Sequence, residues 1–157
     1  MEFWQIVRAG IQAAATEYDV DPRIVGPRWE RDVDRQIEIF NEVIAEEPDG
    51  VLLAAADYND LVPAAVKAVA RGIELVTLDS ALNSDAASSY VATDNVEAGR
   101  KAGREIDRIV PEGEKIAVVS HIRGVATAID REHETSQPFP SADSPIHILV
   151  QKQLGLV

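Results

Sequence analysis

A chain of 157 residues, 46% of them hydrophobic, is long enough for one domain with a core, or for one domain and part of another. Its net charge of −12 argues against a nucleic-acid surface, which needs a basic face. The absence of cysteine excludes disulfides, zinc thiolates and cysteine catalysis. No run reaches the ~18 apolar residues that a membrane span needs, so no such span is expected.

The first part of the chain predicts two amphipathic helices. Apolar residues recur at helical spacing over 3–18 and again over 32–47, where Asp32 is the expected N-cap. Between these helices, residues 23–26 predict a weak, short strand. A doubly wound domain normally opens with a strand, so a helix at the first residues is unusual.

The next stretch predicts a strand, a helix and a second strand. The apolar runs 51–55 and 73–78 are typical of strands buried on both faces of a parallel sheet. The helix between them is expected to be capped by Asn59 or Asp60 and to end at Gly72. A crossover of this kind is a βαβ unit, which is almost always right-handed.

Polar residues follow both strands of this unit. Asp79 and Ser80 end the second strand, and Asp57 lies just past the first. Ligands of open α/β sheets bind outside the carboxyl ends of the strands, so these side chains are candidate ligand contacts. Each also has a structural interpretation, as a turn or cap residue for Asp79 and as a loop cap for Asp57.

The second half of the chain again alternates strands with helices. Asp94 and Glu97 are spaced as a capping box. The predicted elements are a loop (80–89), a strand (90–93), a helix (94–109), a strand (115–120), a weak helix (124–133), a proline-rich linker (135–145) and a strand-like run (146–150). The whole pattern predicts an α/β fold with a three-layer, doubly wound parallel sheet.

Several short motifs follow one another in a specific order. They are FW in the first helix, GP after the weak strand, Q in the second helix, PDGVLLAAAD, GIELVTLDS, YVATDNVEAG and KIAVVSHIRG. In order and spacing they resemble the type I periplasmic binding proteins, the ribose-binding-like sugar receptors of ABC transporters, together with the effector domains of LacI-type regulators. The resemblance covers residues 3 to about 134. It implies two α/β lobes joined by a hinge, with a sugar or similar small molecule bound between them.

The chain departs from that family at both ends. The family's opening strand is missing, and a proline-rich tail replaces most of the second lobe. We therefore expect an incomplete fold: a partial N-terminal lobe (1–94), the start of the second lobe (95–134), and a linker with a strand-like tail (135–157). This pattern is typical of a truncated form.

The missing strand has a physical consequence. Backbone groups left unpaired in a buried sheet cost on the order of 1–3 kcal/mol each. The run 146–150 is the spare strand-like segment, and we expect it to pair with a sheet edge of its own subunit or of a partner. Exposed strand edges also predict a homodimer.

The resemblance implies a set of sugar contacts. Phe3 and Trp4 match the aromatic pair that stacks on the sugar, although helix-end packing would also account for them. Asp79 matches the acid that bonds sugar hydroxyls, and Arg131 matches a second-lobe arginine. Ser80 stands where ribose receptors carry arginine, so the ligand is expected to differ from ribose.

The resulting prediction is a fragment of a sugar-binding protein, the substrate-binding component of an ABC-type transporter. Its partners would be a monosaccharide and an ABC permease, with no cofactor, no nucleic acid and no metal. The alternatives are the effector domain of a LacI-type regulator and a remnant that binds nothing. The expected location is periplasmic or at the cell surface, if the full-length form carries the signal peptide that this chain does not show.

An enzyme is not expected. The sequence has no G-x-S-x-G elbow, no Walker loop and no G-x-G-x-x-G motif. Asp57, Asp79 and Asp94, all near strand ends, could hold Mg²⁺ for phosphoryl transfer, but no strand-end lysine accompanies them. The three histidines lack metal-ligand spacing.

Overall fold

The computed structural model describes residues 2–111, 116–120, 122–136 and 147–150. Its elements follow the βα alternation predicted from the sequence. In chain order they are α1 (Glu2–Tyr18), α2 (Val33–Ala45), β1 (Gly50–Leu53), α3 (Val62–Ala70), β2 (Glu74–Leu78), β3 (Ser89–Val91), α4 (Asn95–Ile109), β4 (Ala117–Ser120), α5 (Ala126–Ser136) and β5 (His147–Val150).

The first sheet is parallel and has the order β1-β2-β3. Its register places Gly50 opposite Glu74 and Val76 opposite Ser89. Helix α3 connects β1 to β2 as the crossover of the predicted βαβ unit. The α/β class and the parallel sheet are therefore confirmed, and the carboxyl ends of all three strands lie at one edge.

The core lies between this sheet and helices α2 and α3. Ile44, Leu61 and Leu75 are almost fully inaccessible to solvent and join one hydrophobic cluster. Alternation along β1 turns Leu53 into this cluster, where it is 6% exposed, and leaves Leu52 on the opposite face, 49% exposed. Within the described residues, the sheet is thus packed firmly on one face.

Local sequence signals determine most helix ends. The Asp32 carboxylate accepts a hydrogen bond from the Arg35 N–H at 3.2 Å, and the Asp94 carboxylate accepts one from the Glu97 N–H at 2.8 Å. Both predicted N-caps are confirmed. Gly72 has a φ of +81° immediately after α3, as a C-terminal glycine should.

The predicted cap of α3 is wrong. The residue before the helix is Leu61, and no side chain caps it. The N–H groups of Asn59 and Asp60 instead donate to the Asp57 carboxylate, at 2.7 and 3.0 Å. Asp57 thereby forms the turn that precedes the helix, so neither Asn59 nor Asp60 is in the capping position.

The short strand predicted at 23–26 is also wrong, because these residues belong to no strand. A strand needs a neighbour to take up its backbone hydrogen bonds. Residues 23–26 do not pair with β1, which stands at the edge of the described sheet. Helix α1 makes no contact with another helix or strand of the described chain. Ile24 and Val25 accordingly stay 38% and 46% exposed.

The remaining elements form a second unit in which α4 packs closely on α5. A Cβ added at Gly99 would lie 2.7 Å from the Arg131 carbonyl oxygen, so glycine allows the two helices to approach. The Thr135 hydroxyl donates to the Gly99 carbonyl at 3.3 Å, and Arg100 pairs with Glu134 at 2.9 Å.

Strand β5 pairs in parallel with β4, with His147 opposite Ala117. The expected pairing of the last strand-like run with an edge of its own chain is thus confirmed for 147–150, although the edge is that of β4 and not the slot beside β1. The predicted linker 135–145 is wrong at its start, because α5 extends to Ser136. The rest of that linker lies outside the described residues.

Among the helices of the described chain, none combines the length and the apolar composition that crossing a bilayer requires.

Candidate functional site

Loops from both units meet at the carboxyl edge of the first sheet. The Tyr58 N–H donates to the Gly124 carbonyl at 2.9 Å, which joins the loop after β1 to the turn after β4. The Asn83 N–H donates to the Tyr58 carbonyl at 2.8 Å, which joins the same loop to the one after β2. The edge where ligands of such sheets bind is therefore a connected set of loops.

Gln36 of α2 holds the start of the loop after β1. Its side-chain amide donates to the Ala54 carbonyl at 2.7 Å and accepts from the Ala56 N–H at 2.8 Å. A primary amide can serve one acceptor and one donor together, as a strand neighbour would. This explains the glutamine of the second helix, which the sequence presented only as part of a resemblance.

Asp79 occupies an unusual turn directly after β2. Its φ is +63°, and the Ser80 N–H donates across it to the Leu78 carbonyl at 2.7 Å. A hydrogen bond from residue i+2 to residue i around a positive φ defines a strained γ-turn. The Asp79 N–H donates to the Val91 carbonyl at 2.9 Å, and its carbonyl accepts from the Tyr90 hydroxyl at 3.1 Å.

Arg131 of α5 belongs to the same neighbourhood. Its Nε donates to the Asn95 side-chain oxygen at 2.7 Å, and Asn95, only 3% exposed, donates to the Thr93 carbonyl at 3.0 Å. The Tyr90 hydroxyl bonds the Asp79 carbonyl, and the charges of Asp79, Asp130 and Arg131 all act on the pKa of Tyr90. We call this group the Tyr90 cluster: Asp79, Tyr90, Asn95, Asp130 and Arg131.

The electrostatics of the cluster keep the Tyr90 hydroxyl protonated. Partial burial raises the pKa of Tyr90, and the carboxylates of Asp130 and Asp79 raise it further. A hydrogen bond with Asn95 and the charge of Arg131 act in the opposite direction and do not cancel the rise. Tyr90 therefore remains a hydrogen-bond donor throughout the physiological pH range.

Asp57 lies at the same edge but has a structural task. Its Oδ1 accepts the two backbone bonds that form the turn before α3. Its Oδ2 lies against Gly124, where an added Cβ would come within 2.2 Å. Gly124 also has a φ of +91°, so both the backbone and the space demand glycine there.

The other predicted contacts lie differently. Ser80 is 3% exposed, so its side chain is buried behind the Asp79 turn. Phe3 and Trp4 form an edge-to-face pair with ring centroids 4.9 Å apart. The Trp4 indole donates to Glu30, and Phe3 is 51% exposed. Their helix, α1, makes no contact with another helix or strand among the described residues.

A cavity of about 280 Å³ opens beside β3. None of the predicted contacts lines it, although the Tyr90 ring does. Its lining residues are Thr77, Ala81, Leu82, Ser84, Asp85, Ala87, Ser89 and Tyr90. Tyr90 is thus the one member of the Tyr90 cluster that also lines this cavity.

The described residues contain no group of three or more His, Cys, Asp or Glu side chains that could hold a metal ion. Two of the three aspartates considered for Mg²⁺ have backbone partners: Asp57 forms a turn and Asp94 caps α4. Both carboxylates therefore stabilise the local backbone by accepting its hydrogen bonds.

Sequence reasoning did not identify Tyr90 as a member of the site, because it is one residue of a brief predicted strand. Asn95 was recognised only by its position at the crossing between the lobes, and Gln36 only as part of the resemblance. Side-chain hydrogen bonds across 36 residues, such as that from Arg131 to Asn95, leave no local pattern in the sequence.

Two curated relatives bind sugars according to their names. The D-allose-binding periplasmic protein of Escherichia coli (strain K12) is 28% identical over 148 residues, which are 89% of this chain and 48% of the relative. The D-ribose/D-allose-binding protein of Pseudomonas aeruginosa is 26% identical and is matched over 98% of this chain and 50% of its own length. The chain thus spans about half the length of these curated relatives.

Solved structures show the same fold. A sugar transporter from Clostridium phytofermentans superposes with a TM-score of 0.84 at 36% identity, covering 90% of this chain and 52% of that protein. An ABC transporter solute binding protein from Agrobacterium vitis, solved with bound D-fucose, superposes with a TM-score of 0.79 at 32% identity, over 95% and 52% of the two chains.

The family described as "Periplasmic binding protein domain" matches residues 1–145 of this chain. The parallel sheets, the loops at their carboxyl edge and the solved neighbours agree with that match. The fold is that of the type I, ribose-binding-like class that the sequence resembles. The chain therefore belongs to the periplasmic binding protein domain family.

Proposed function

We propose that this chain carries part of a monosaccharide-binding site, in which Asp79 and Arg131 bond the sugar hydroxyls. The observation that supports this most is the Tyr90 cluster, which brings an acid from the first unit and an arginine from the second to one carboxyl edge. Hydrogen bonds from charged groups to hydroxyls are strong and directional. The names of the relatives suggest an aldose, and Ser80, which stands in place of the arginine of ribose receptors, favours D-allose over D-ribose.

The other proposed sugar contacts lie outside the Tyr90 cluster and have less structural support. Phe3 and Trp4 would stack on the apolar C–H face of the sugar, for which the exposed Phe3 ring supplies area. Ser80 and Asp57 would contribute through the turns that they stabilise. Residues 1–94 and 95–134 would act as the walls of two lobes, with residues 135–157 following as a tail.

Affinity of this chain for a sugar should be weak. A ligand site normally buries most of its ligand, and Tyr90 and Arg131 are exposed in this chain. In its cellular setting the protein would deliver the sugar to an ABC permease from the periplasm, as expected for the substrate-binding component of a transporter. It would bind and release its ligand without chemical change.

Saturation-transfer NMR with D-allose and D-ribose tests the proposal, because the method detects weak binding. Asp79→Asn should weaken binding about 10–100-fold, since a bond to a charged group is worth about 1.5–3 kcal/mol.

Asp85→Asn is the matched control, because Asp85 lines the cavity beside β3 and not the cluster. It should leave binding unchanged. Loss of binding in Asp85→Asn with no effect of Asp79→Asn would place the sugar in the cavity and contradict the proposal, as would the absence of any binding to the parent chain.

A further inference from the structure

The backbone of Asp79 is held in a conformation that a side-chain-bearing residue adopts at a cost. Its φ of +63° lies in the left-handed region, and the Ser80-to-Leu78 hydrogen bond of 2.7 Å tightens it into a γ-turn. Strained backbone of this kind persists only where surrounding contacts over-determine it. The contacts around Asp79 therefore identify what maintains the turn.

Two consecutive residues of β3 supply those contacts. The Asp79 N–H donates to the Val91 carbonyl at 2.9 Å, as a regular continuation of the β2–β3 pairing. The Asp79 carbonyl accepts from the Tyr90 hydroxyl at 3.1 Å. The tyrosine side chain thus bonds directly to the residue whose backbone is strained.

Tyr90 is also coupled to the second unit. A hydrogen bond with Asn95 and the charges of Asp130 and Arg131 act on the pKa of Tyr90. The Asn95 side chain accepts from Arg131 at 2.7 Å and donates to the carbonyl of Thr93, three residues after Tyr90. Asn95 is 3% exposed and also anchored on the Thr93 carbonyl, so it is a fixed point. The Tyr90 hydroxyl therefore bonds the strained turn directly, and the Asn95–Arg131 pair is near enough to influence its pKa.

We propose that Tyr90 is a positioning residue that fixes the Asp79 turn against the Asn95–Arg131 pair and so sets the geometry in which the two charged side chains meet a ligand. The inference rests on the proposed function for its ligand, but the turn itself can be tested without one. By holding the Asp79 carbonyl, Tyr90 orients the Asp79 carboxylate, so its loss should weaken binding only while that carboxylate is present.

Tyr90→Phe removes the hydroxyl and keeps the ring. We expect D-allose or D-ribose to bind about 3–10-fold more weakly, the usual effect of one lost hydrogen bond. In an Asp79→Ala background the same substitution should have no further effect on binding, since coupled residues are non-additive. A merely structural role would not produce this dependence on Asp79. Tyr18→Phe, at a tyrosine 71% exposed on α1, is the matched control.

Amide hydrogen exchange supplies the readout that needs no sugar. In Tyr90→Phe the Ser80 amide, whose bond closes the turn, should exchange faster than in the parent and in Tyr18→Phe, while amides of the β1–β2 ladder stay protected. Unchanged Ser80 exchange overturns the inference, whatever the binding result. If the parent chain binds neither sugar, the proposed function fails, and faster Ser80 exchange still supports the positioning role.

Discussion

At the scale of single residues, the most informative position is Asp79, which combines a strained backbone with a carboxylate proposed to bind the ligand. Sequence reasoning identified Asp79 from its place after a strand, and the structure gives that place a γ-turn with a φ of +63°. The strain could not be read from the sequence, because aspartate is common in turns for several reasons. Tyr90 was missed because its partner is a backbone carbonyl in the turn after the neighbouring strand β2.

The ionisation of Tyr90 provides a prediction about pH. Because burial and the nearby carboxylates raise its pKa, the protonated form is favoured in the folded protein. The resulting stabilisation is present below the ordinary tyrosine value of about 10 and is lost as pH rises through the raised value. The difference in tyrosinate absorbance between the parent and Tyr90→Phe should therefore develop above pH ~10. Titration at or below that pH would contradict the described environment.

Gln36 carries a prediction about stability. Gln36→Ala leaves the Ala54 carbonyl and the Ala56 N–H without their partner and should lower the free energy of unfolding by about 2–3 kcal/mol in urea denaturation. Gln12→Ala, at an exposed position of α1, is the control and should change it by less than about 0.5 kcal/mol. Equal effects of the two substitutions would show that the Gln36 bridge does not stabilise the loop.

At the scale of elements, most helix ends were predictable from local sequence, apart from the cap of α3, whereas one expected strand and one helix packing were not. The N-caps Asp32 and Asp94 and the terminating Gly72 were predictable because each acts within a few residues. The strand expected at 23–26 was not found, since a strand depends on a neighbour that local sequence does not describe. The close packing of α4 on α5 was likewise not predictable from the sequence, because glycine in a helix normally weakens it. The packing role of Gly99 becomes clear only when its neighbours on α5 are known.

Gly99→Ala tests that packing. The new Cβ would lie 2.7 Å from the Arg131 carbonyl oxygen and 2.9 Å from the Glu134 Cβ, so the helices must separate. Overpacking of this kind should destabilise the fold by about 1–3 kcal/mol in thermal or urea unfolding. Gly10→Ala, also in a helix but with no atom within 4 Å, should be neutral or stabilising by up to about 1 kcal/mol. A destabilising Gly10→Ala alongside a neutral Gly99→Ala would refute the described contact.

At the scale of the whole molecule, apolar surface is left uncovered around β1. This strand is at the edge of the described sheet, Leu52 is 49% exposed beside it, and α1 packs on none of the described helices or strands. Open edges and apolar faces favour self-association, so the homodimer predicted from the sequence remains our proposal.

Size-exclusion chromatography coupled to light scattering measures the oligomeric state of the chain. We expect a dimer that dissociates in Leu52→Lys, because a charge on the open face opposes burial. Val66→Lys, at an equally exposed residue of α3, should remain dimeric. A monomeric parent chain, or dissociation in Val66→Lys alone, would reject association through the β1 side of the sheet.

We propose that the carboxyl edge around Asp79 and Arg131 binds an aldose. An amide-resolved NMR titration of the chain with D-allose reports both whether the sugar binds and where. We expect saturable shifts concentrated at Asp79, Ser80, Tyr90, Asn95 and Arg131. Absence of saturable shifts, or shifts confined to the 81–87 loop beside the cavity, would contradict it.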